Sequence, residues 1–425
     1  MFIAVVHLFN SLPLPIAINI IGSGKFTIYQ PIKLYRKFSA AYIFDGYKFL
    51  QEHVLITDAD GMIIGLVQEK EAGDGIEFLN GIISPGFINA HCHLELSHMK
   101  GFIPKQTGLV DFVLKVVYER HFEEREIWQA IEKAENEMLN SGIVAVGDIC
   151  NNVLTIPQKN KQRLLYHNFI EASGFPSTVA EHRFKRAVDF YNSYADHFPA
   201  SSIVPHAPYS VSPEMFAMIN AFPGNNLITI HNQETEAENE LFKNGSGDFL
   251  RMYAAMGIDI SFFKTSGKSS LQTWLPHFTK GQTIIQVHNT CMSESDIEFA
   301  KLPTANCQPA AIFFCLCPNA NLYISNTLPD VNMLLQHECD IVLGTDSLAS
   351  NDQLSILEEM KMLQKYFPKL NLATMLQWAT SNGSRALQMN NMLGSFEKGK
   401  NPGLVLIEGA DELMLNENSS SKRIL

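Results

Sequence analysis

The chain reads as α/β: a (β/α)8 TIM barrel with a small β-sandwich cap built from both chain ends. Three observations lead there. Between Gly81 and Asp346, a run of mostly apolar residues closed by a polar or ring-constrained residue, then a helical stretch, recurs eight times. Eight such units in about 260 residues is the arithmetic of that barrel. Short β-prone pieces precede the units and another follows them, so the two ends can meet in one cap.

The elements fall in order along the chain. Residues 1–36 form an extension of apolar character that lacks a basic leading segment and is broken by Pro13 and Pro15, so it fits neither a signal peptide nor a membrane span. Residues 37–80 carry AAYIFDG, EHVLITD and GMIIGLVQE, separated by Asp-Gly turns, the pattern of antiparallel hairpins. Residues 81–390 hold the barrel. Its eight runs end at His91, Asp148, Glu171, His206, His231, His288, Pro318 and Asp346. Asp111–Leu139, Glu234–Met256 and Ile356–Phe367 are helical candidates, with apolar residues at spacings of three and four. Residues 391–425 return to the cap through LGSFEKGKNPGLVLIEG.

Composition narrows the function. With 46% hydrophobic and 18% charged residues, the 425-residue chain can bury a large core, which excludes disordered and collagen-like classes. The 32 basic residues against 44 acidic ones give a net charge of −12, which argues against nucleic acid and anionic membranes as partners and for a small-molecule substrate. Seven cysteines, none spaced as CxxC, fit a reducing cytoplasm better than a disulfide framework. No GxGxxG, P-loop or serine nucleophile elbow is present in the sequence.

The chemistry lies at the strand ends, the edge where barrels of this class build their sites. In HCHLELSH, residues i and i+2 of an extended segment point the same way, so His91 and His93 aim two imidazoles at one point. Taken alone, the pair could equally be a surface turn or two satisfied core histidines. With His231 and Asp346 closing two further strands, three imidazoles and one carboxylate suit one divalent metal ion, zinc or ferrous iron, with a position left open for water. Such an ion lowers the pKa of water and supplies a hydroxide nucleophile. Glu234 follows His231 by three residues and can shuttle the proton; alone, it would be an ordinary acid at a helix N-terminus. His288 is placed to polarise the attacked group. Cys92, between the two histidines, faces the outer layer of the barrel.

PGFINAHCH, HNQE, QVHNT and LGTDSLASN, in that order, resemble the amidohydrolase superfamily in its nucleoside and base deaminase and chlorohydrolase branch, from about Ser39 to about Gly409. The resemblance implies that His91, His93, His231 and Asp346 hold one metal, that Glu234 is the acid/base glutamate and that His288 is a second catalytic histidine, with Asp346 and His288 positioning the nucleophile. SSIVPHAPYS lacks the lysine that bridges two metals in binuclear members, and its PHAPY resembles the motif whose histidine contacts substrate, so His206 is a substrate-binding candidate. HLELS and TDSLASN resemble aminodeoxyfutalosine deaminases more than methylthioadenosine and S-adenosylhomocysteine deaminases. The implied reaction is hydrolytic deamination of an adenine-type nucleoside, aminodeoxyfutalosine favoured. Glu95 and Glu119 are candidate partners of a ribose hydroxyl, each otherwise a plain solvated acid. A homodimer is a family-level expectation. The competing readings are a guanine, cytosine or s-triazine hydrolase, a binuclear amidase and a non-catalytic metal-binding barrel.

Overall fold

The computed structural model describes residues 20–21, 25–26, 34–302 and 309–425. Most of the extension expected over residues 1–36, together with Cys307, lies outside them. Eight parallel strands follow in chain order: β1 (Phe87–Cys92), β2 (Ile143–Cys150), β3 (Leu165–Ala172), β4 (Ser201–Pro205), β5 (Leu227–Asn232), β6 (Thr283–His288), β7 (Ala311–Leu316) and β8 (Asp340–Leu343). Each coincides with one of the eight apolar runs. Most are buried along their whole length, which is why they read as continuous apolar stretches and not as alternating ones.

The strands form two four-stranded parallel sheets, in the order β4-β3-β2-β1 and β5-β6-β7-β8. Two seams join them. At one, the amides of Thr345 and Asp346 donate to the His91 carbonyl at 3.0 and 3.1 Å. Asn89 reinforces it, donating to Thr345 Oγ1 at 2.7 Å and accepting from the Thr345 amide at 3.1 Å. A side chain on Gly344 would meet His91 Cβ at 2.9 Å and Cys315 Sγ at 2.8 Å, so only glycine lets β8 approach β1 this closely. At the other seam, the His231 amide donates to the His206 carbonyl at 3.0 Å. The expected (β/α)8 arrangement is present, and both seams run through predicted site residues.

Two of the expected long helices are each a pair. Asp111–Leu139 divides into Leu109–Glu119 and Glu124–Asn140. Glu234–Met256 divides into Glu236–Asn244 and Phe249–Ala255, because Gly245 adopts φ 68° and caps the first helix with its amide on the Leu241 carbonyl at 2.9 Å. Between strands and helices, Cys92, Phe314 and Leu343 join Met360 and Leu363 in one apolar cluster. Cys92 therefore packs outward, as its place in the strand predicts, and burial pushes its thiol well above the ordinary range.

Strands from the two chain ends form one seven-stranded sheet. Its order is Ser420–Arg423, Val405–Glu408, Ile76–Ser84, Tyr35–Phe44, His53–Asp58, Ile63–Gln68, with Phe49–Leu50 paired to Tyr35–Phe44. The ladder is continuous from one edge to the other, and Phe38, Ile43, Leu55, Ile63 and Ile83 of its strands pack with Phe396 and Leu404 in one buried cluster. Its first strand starts within the expected extension, since Tyr35 and Arg36 pair with Asp58 and Thr57. Its strand Ile76–Ser84 also runs past residue 80.

Candidate active site

The residues that end β1, β5 and β8 converge. His93 Nε2 stands 3.3 Å from His231 Nε2, and Asp346 Oδ1 lies 3.6 Å from both His91 Nε2 and His93 Nε2. One ligand atom from each of His91, His93, His231 and Asp346 lies within 4.8 Å of the other three. His91 Nδ1, His91 Nε2 and His93 Nδ1 are buried with no hydrogen-bond partner among the described residues. Buried imidazole nitrogens left without partners are costly unless something else engages them. A divalent cation at the point of convergence would do so for the Nε2 atoms.

The tautomer of one ligand follows from its partner. His231 Nδ1 lies 2.8 Å from the His206 carbonyl, which can only accept, so Nδ1 carries the proton and Nε2 presents its lone pair to the cluster. Burial holds His93 well below the ordinary histidine range and draws His231 down to about 4, which keeps both rings neutral and able to ligate. Asp346 behaves oppositely. Burial would raise its carboxyl, but the neighbouring imidazoles of His91, His93 and His288 outweigh that and hold it well below its usual value. Ser350 Oγ donates to its second oxygen at 2.6 Å.

Glu234 and His288 complete the centre. Glu234 Oε2 is 3.7 Å from His288 Nε2, and Thr290 Oγ1 donates to the Glu234 carbonyl at 2.7 Å. Burial, then the charges of Asp346 and Glu238, push the Glu234 carboxyl well above its usual range, which favours its protonated form. The Asn321 amide donates to His288 Nδ1 at 3.0 Å, which places the ring proton on Nε2, facing the cavity. Backbone strain concentrates here: Gln233 (φ 45°), His288 (74°), Asn289 (60°) and Asp346 (56°) all adopt left-handed conformations as their strands turn into loops.

The cavity over this cluster is lined by His93, His206, His231, Glu234, His288 and Asp346, with an apolar wall of Leu96, Leu109, Phe112, Val113, Val116 and Ile324. His206 enters from the end of β4, its Nδ1 2.7 Å from Ser210 Oγ. Two expected substrate contacts do not line this cavity. Glu119 lies outside the cavity and pairs with Lys115 at 3.5 Å, because the last turn of its helix points Arg120 inward and Glu119 to solvent. Glu95 is buried, but its two oxygens accept from the amide and the side chain of Asn151, both at 2.9 Å, so it orients Asn151 and does not line the cavity. Asn151, Glu171, Ser173, Arg120 and Arg183 line the cavity and were not singled out as site residues in the sequence. Glu171 could have been, as the end of the third apolar run; Arg183 sits within a helix with no motif around it.

The amidohydrolase family model matches residues 82–423, and the chain belongs to that family. Among its relatives is the adenosine deaminase of Helicobacter pylori, 29% identical over 342 residues that cover 77% of this chain and 79% of the relative. A 5-methylthioadenosine/S-adenosylhomocysteine deaminase of Halalkalibacterium halodurans is 23% identical over 374 residues, 82% of this chain and 79% of the relative. The same fold is seen in Helicobacter pylori aminofutalosine deaminase in complex with methylthio-coformycin, with a TM-score of 0.77 at 21% identity over 92% of this chain and 100% of that one. It is seen again in atrazine chlorohydrolase from Arthrobacter aurescens complexed with zinc, with a TM-score of 0.68 at 16% identity over 90% and 89%. Among the described residues, no helix is long and apolar enough to cross a membrane.

Proposed function

We propose that the protein is a metal-dependent hydrolase that removes the exocyclic amine of an adenine-type nucleoside, with aminodeoxyfutalosine the favoured substrate and one divalent ion, zinc, as cofactor. The observation that carries the proposal is the meeting of a three-histidine, one-aspartate cluster with a buried glutamate and an oriented histidine on one cavity wall. The deaminases among its relatives support the same reaction. Held by His91, His93, His231 and Asp346, the ion supplies the Lewis acidity that makes water nucleophilic near neutral pH.

The remaining work belongs to side chains of the chain itself. Glu234 delivers its proton to the ring nitrogen beside the amine-bearing carbon as water attacks that carbon. Asp346, kept ionised by the surrounding imidazoles, takes the proton that the water loses. His288 Nε2–H donates to the oxygen as it becomes bonded to the ring carbon. On collapse, the Asp346 proton leaves with the amine as ammonia and the hydroxyl proton returns to Glu234, so both groups end as they began. The apolar wall and the Arg120 and Arg183 guanidiniums suit an apolar 5′ substituent ending in a carboxylate, as aminodeoxyfutalosine has, better than the bare hydroxymethyl of adenosine.

The test is ammonia release by zinc-loaded protein from aminodeoxyfutalosine, methylthioadenosine, S-adenosylhomocysteine, adenosine, guanine and cytosine, with metal counted in the same sample. Release from an adenine nucleoside at one metal per chain is the expected result. Silence on every adenine nucleoside with metal bound would overturn the reaction and point to amide or halide substrates. Two metals per chain would favour the binuclear alternative.

A further inference from the structure

We infer that Gln233 is a positioning residue: its side chain anchors the turn between His231 and Glu234 to two neighbouring helices and so sets where the Glu234 carboxylate stands beside His288. The inference rests on the reading of Glu234 as the proton donor and names the residue through which that donor is held.

Glu234 does not fix itself. Its Oε2 stands 3.7 Å from His288 Nε2, and among the described residues no side chain or amide donates a hydrogen bond to its carboxylate. Where the carboxylate points therefore depends on the backbone beneath it. That backbone is strained at the preceding residue, since Gln233 turns through a left-handed φ of 45°. Such a conformation persists only where the surrounding contacts over-determine it.

Gln233 is tied down at every polar group. Its amide donates to Glu238 Oε1 at 2.9 Å, and its carbonyl accepts from the Cys291 amide at 2.9 Å. Thr290 Oγ1 shares its proton between that carbonyl at 3.1 Å and the Glu234 carbonyl at 2.7 Å. The side-chain Oε1 accepts weakly from Asn232 Nδ2 at 3.4 Å, and Nε2 donates to Asn239 Oδ1 and Asp296 Oδ2, both at 3.0 Å.

The partners fix the direction of the last two bonds. Asn239 Nδ2 lies 3.0 Å from the Cys291 carbonyl, which can only accept, and Asn239 Oδ1 also takes the Ser270 amide at 3.1 Å, which can only donate. Asn239 thus presents oxygen to Gln233, as the Asp296 carboxylate does, and Gln233 must answer with its NH2. Burial would raise the Asp296 carboxyl, but hydrogen bonds from Ser269, Gln233 and Ser293 outweigh it and hold the group ionised, which strengthens the bond it accepts.

One side chain therefore joins the end of β5 to the helices Glu236–Asn244 and Glu294–Lys301, the second of which follows the loop that carries His288 and Thr290. Gln233 is fully buried and does not line the cavity, so it acts on the reaction only through its neighbours. The His231 ring is held separately, by the His206 carbonyl, so the metal ligands do not depend on the Gln233 amide.

The test places Gln233→Leu in wild type and in Glu234→Gln, with metal content, melting curves and steady-state ammonia release measured on the zinc-loaded proteins. In wild type, Gln233→Leu should keep one metal per chain and lower kcat about tenfold with KM within about twofold. In Glu234→Gln, where the donor is already gone, the same change should cost less than about twofold further. Thr290→Val keeps the shape and removes the hydroxyl shared by the two carbonyls; it should repeat this pattern, and it carries the test if Gln233→Leu does not fold. Equal losses in both backgrounds, or a loss of metal or a rise in KM that matches the fall in kcat, would overturn the inference in favour of a merely structural role. Crystal structures of the metal-free wild type and variants supply a readout without turnover: the Glu234 carboxylate should move by about 1 Å relative to His288, and an unmoved carboxylate refutes the positioning role. If wild type releases no ammonia from any adenine nucleoside, the proposed reaction fails, and the crystal comparison still decides what Gln233 holds.

Discussion

Lys159 and Asp148 form an ion pair at 2.5 Å in which both side chains are fully buried, beneath the segment that carries His93. Lys159 Nζ also donates to Asn168 Oδ1 at 2.7 Å and stands 4.8 and 5.1 Å over the rings of Tyr166 and Tyr194. Burial alone would draw the ammonium down, but the Asp148 carboxylate outweighs it and holds the lysine above its ordinary range. Asp148 Oδ1 in turn accepts from the Leu94 amide at 2.8 Å, one residue past His93. Lys159→Met keeps the volume and strands the carboxylate, a change that costs about 3–5 kcal/mol when a buried pair loses one partner. With an unfolding entropy of about 2.1 cal/mol/K per residue, 425 residues convert that to a melting point lower by roughly 3–6 °C. Zinc affinity should fall too, because the Leu94 contact moves with Asp148. Circular-dichroism melts and zinc titration check both effects, and Asp148→Asn added to Lys159→Met should restore much of the stability by removing the stranded charge. A single variant melting within about 1 °C of wild type would show that water or protonation relieves Asp148, and would refute a load-carrying pair.

Glu234→Gln should retain its metal and lose at least about a hundredfold in turnover, since it removes the proton donor and leaves the ligand set untouched; metal analysis beside steady-state kinetics checks this. Asn321→Leu frees His288 from its fixed tautomer and should lower kcat about tenfold with KM little changed, and an equal rise in KM would instead place Asn321 in substrate binding. Burial pushes Glu238 up to about 7 from 4.5, so the folded chain holds this proton more tightly than the unfolded one. Its contribution to stability is full below about pH 4.5 and is lost as pH rises through about 7, a swing of at most about 3 kcal/mol. Glu238→Gln, whose oxygen can still accept from the Gln233 amide, should flatten the fall in melting temperature between pH 5 and 7.5 in differential scanning calorimetry.

The parts of the fold and site that show in the sequence share one physical cause. A barrel strand buried on both faces must be apolar throughout, so the first ionisable residue after it marks the strand end, and His91, His231, His288 and Asp346 all stand there. Helix positions carry no such marker. Glu119 and Arg120 are neighbours, and which of them faces the cavity depends on how the helix Leu109–Glu119 is rotated as it docks, a rotation set by its contacts with the barrel and not by its own periodicity. Glu95 is hard to read for a related reason: a carboxylate beside two candidate metal ligands suggests a substrate contact, and only the structure shows both its oxygens on Asn151. Lys159 and Asp148 were illegible as a pair because the segment between them follows neither the helical nor the strand period.

The two seams explain why the same residues serve both fold and site. Within each half the strands share ladders, shifted in register only between β1 and β2, whereas the joins rest on main-chain bonds at His91, His206, His231, Thr345 and Asp346. A ladder's next pair would use the atoms that instead turn the chain, and three site-bearing loops turn through left-handed φ at Gln233, His288 and Asp346. Left-handed backbone at such residues costs of order 1–3 kcal/mol each. The chain gains from it a set of imidazoles and carboxylates aimed at one point before any ligand arrives, and an ion bound there would tie β1, β5 and β8 across both halves of the barrel. Metal binding should therefore stabilise the seams as well as the site, and the ladders that need no such tie are those farthest from it.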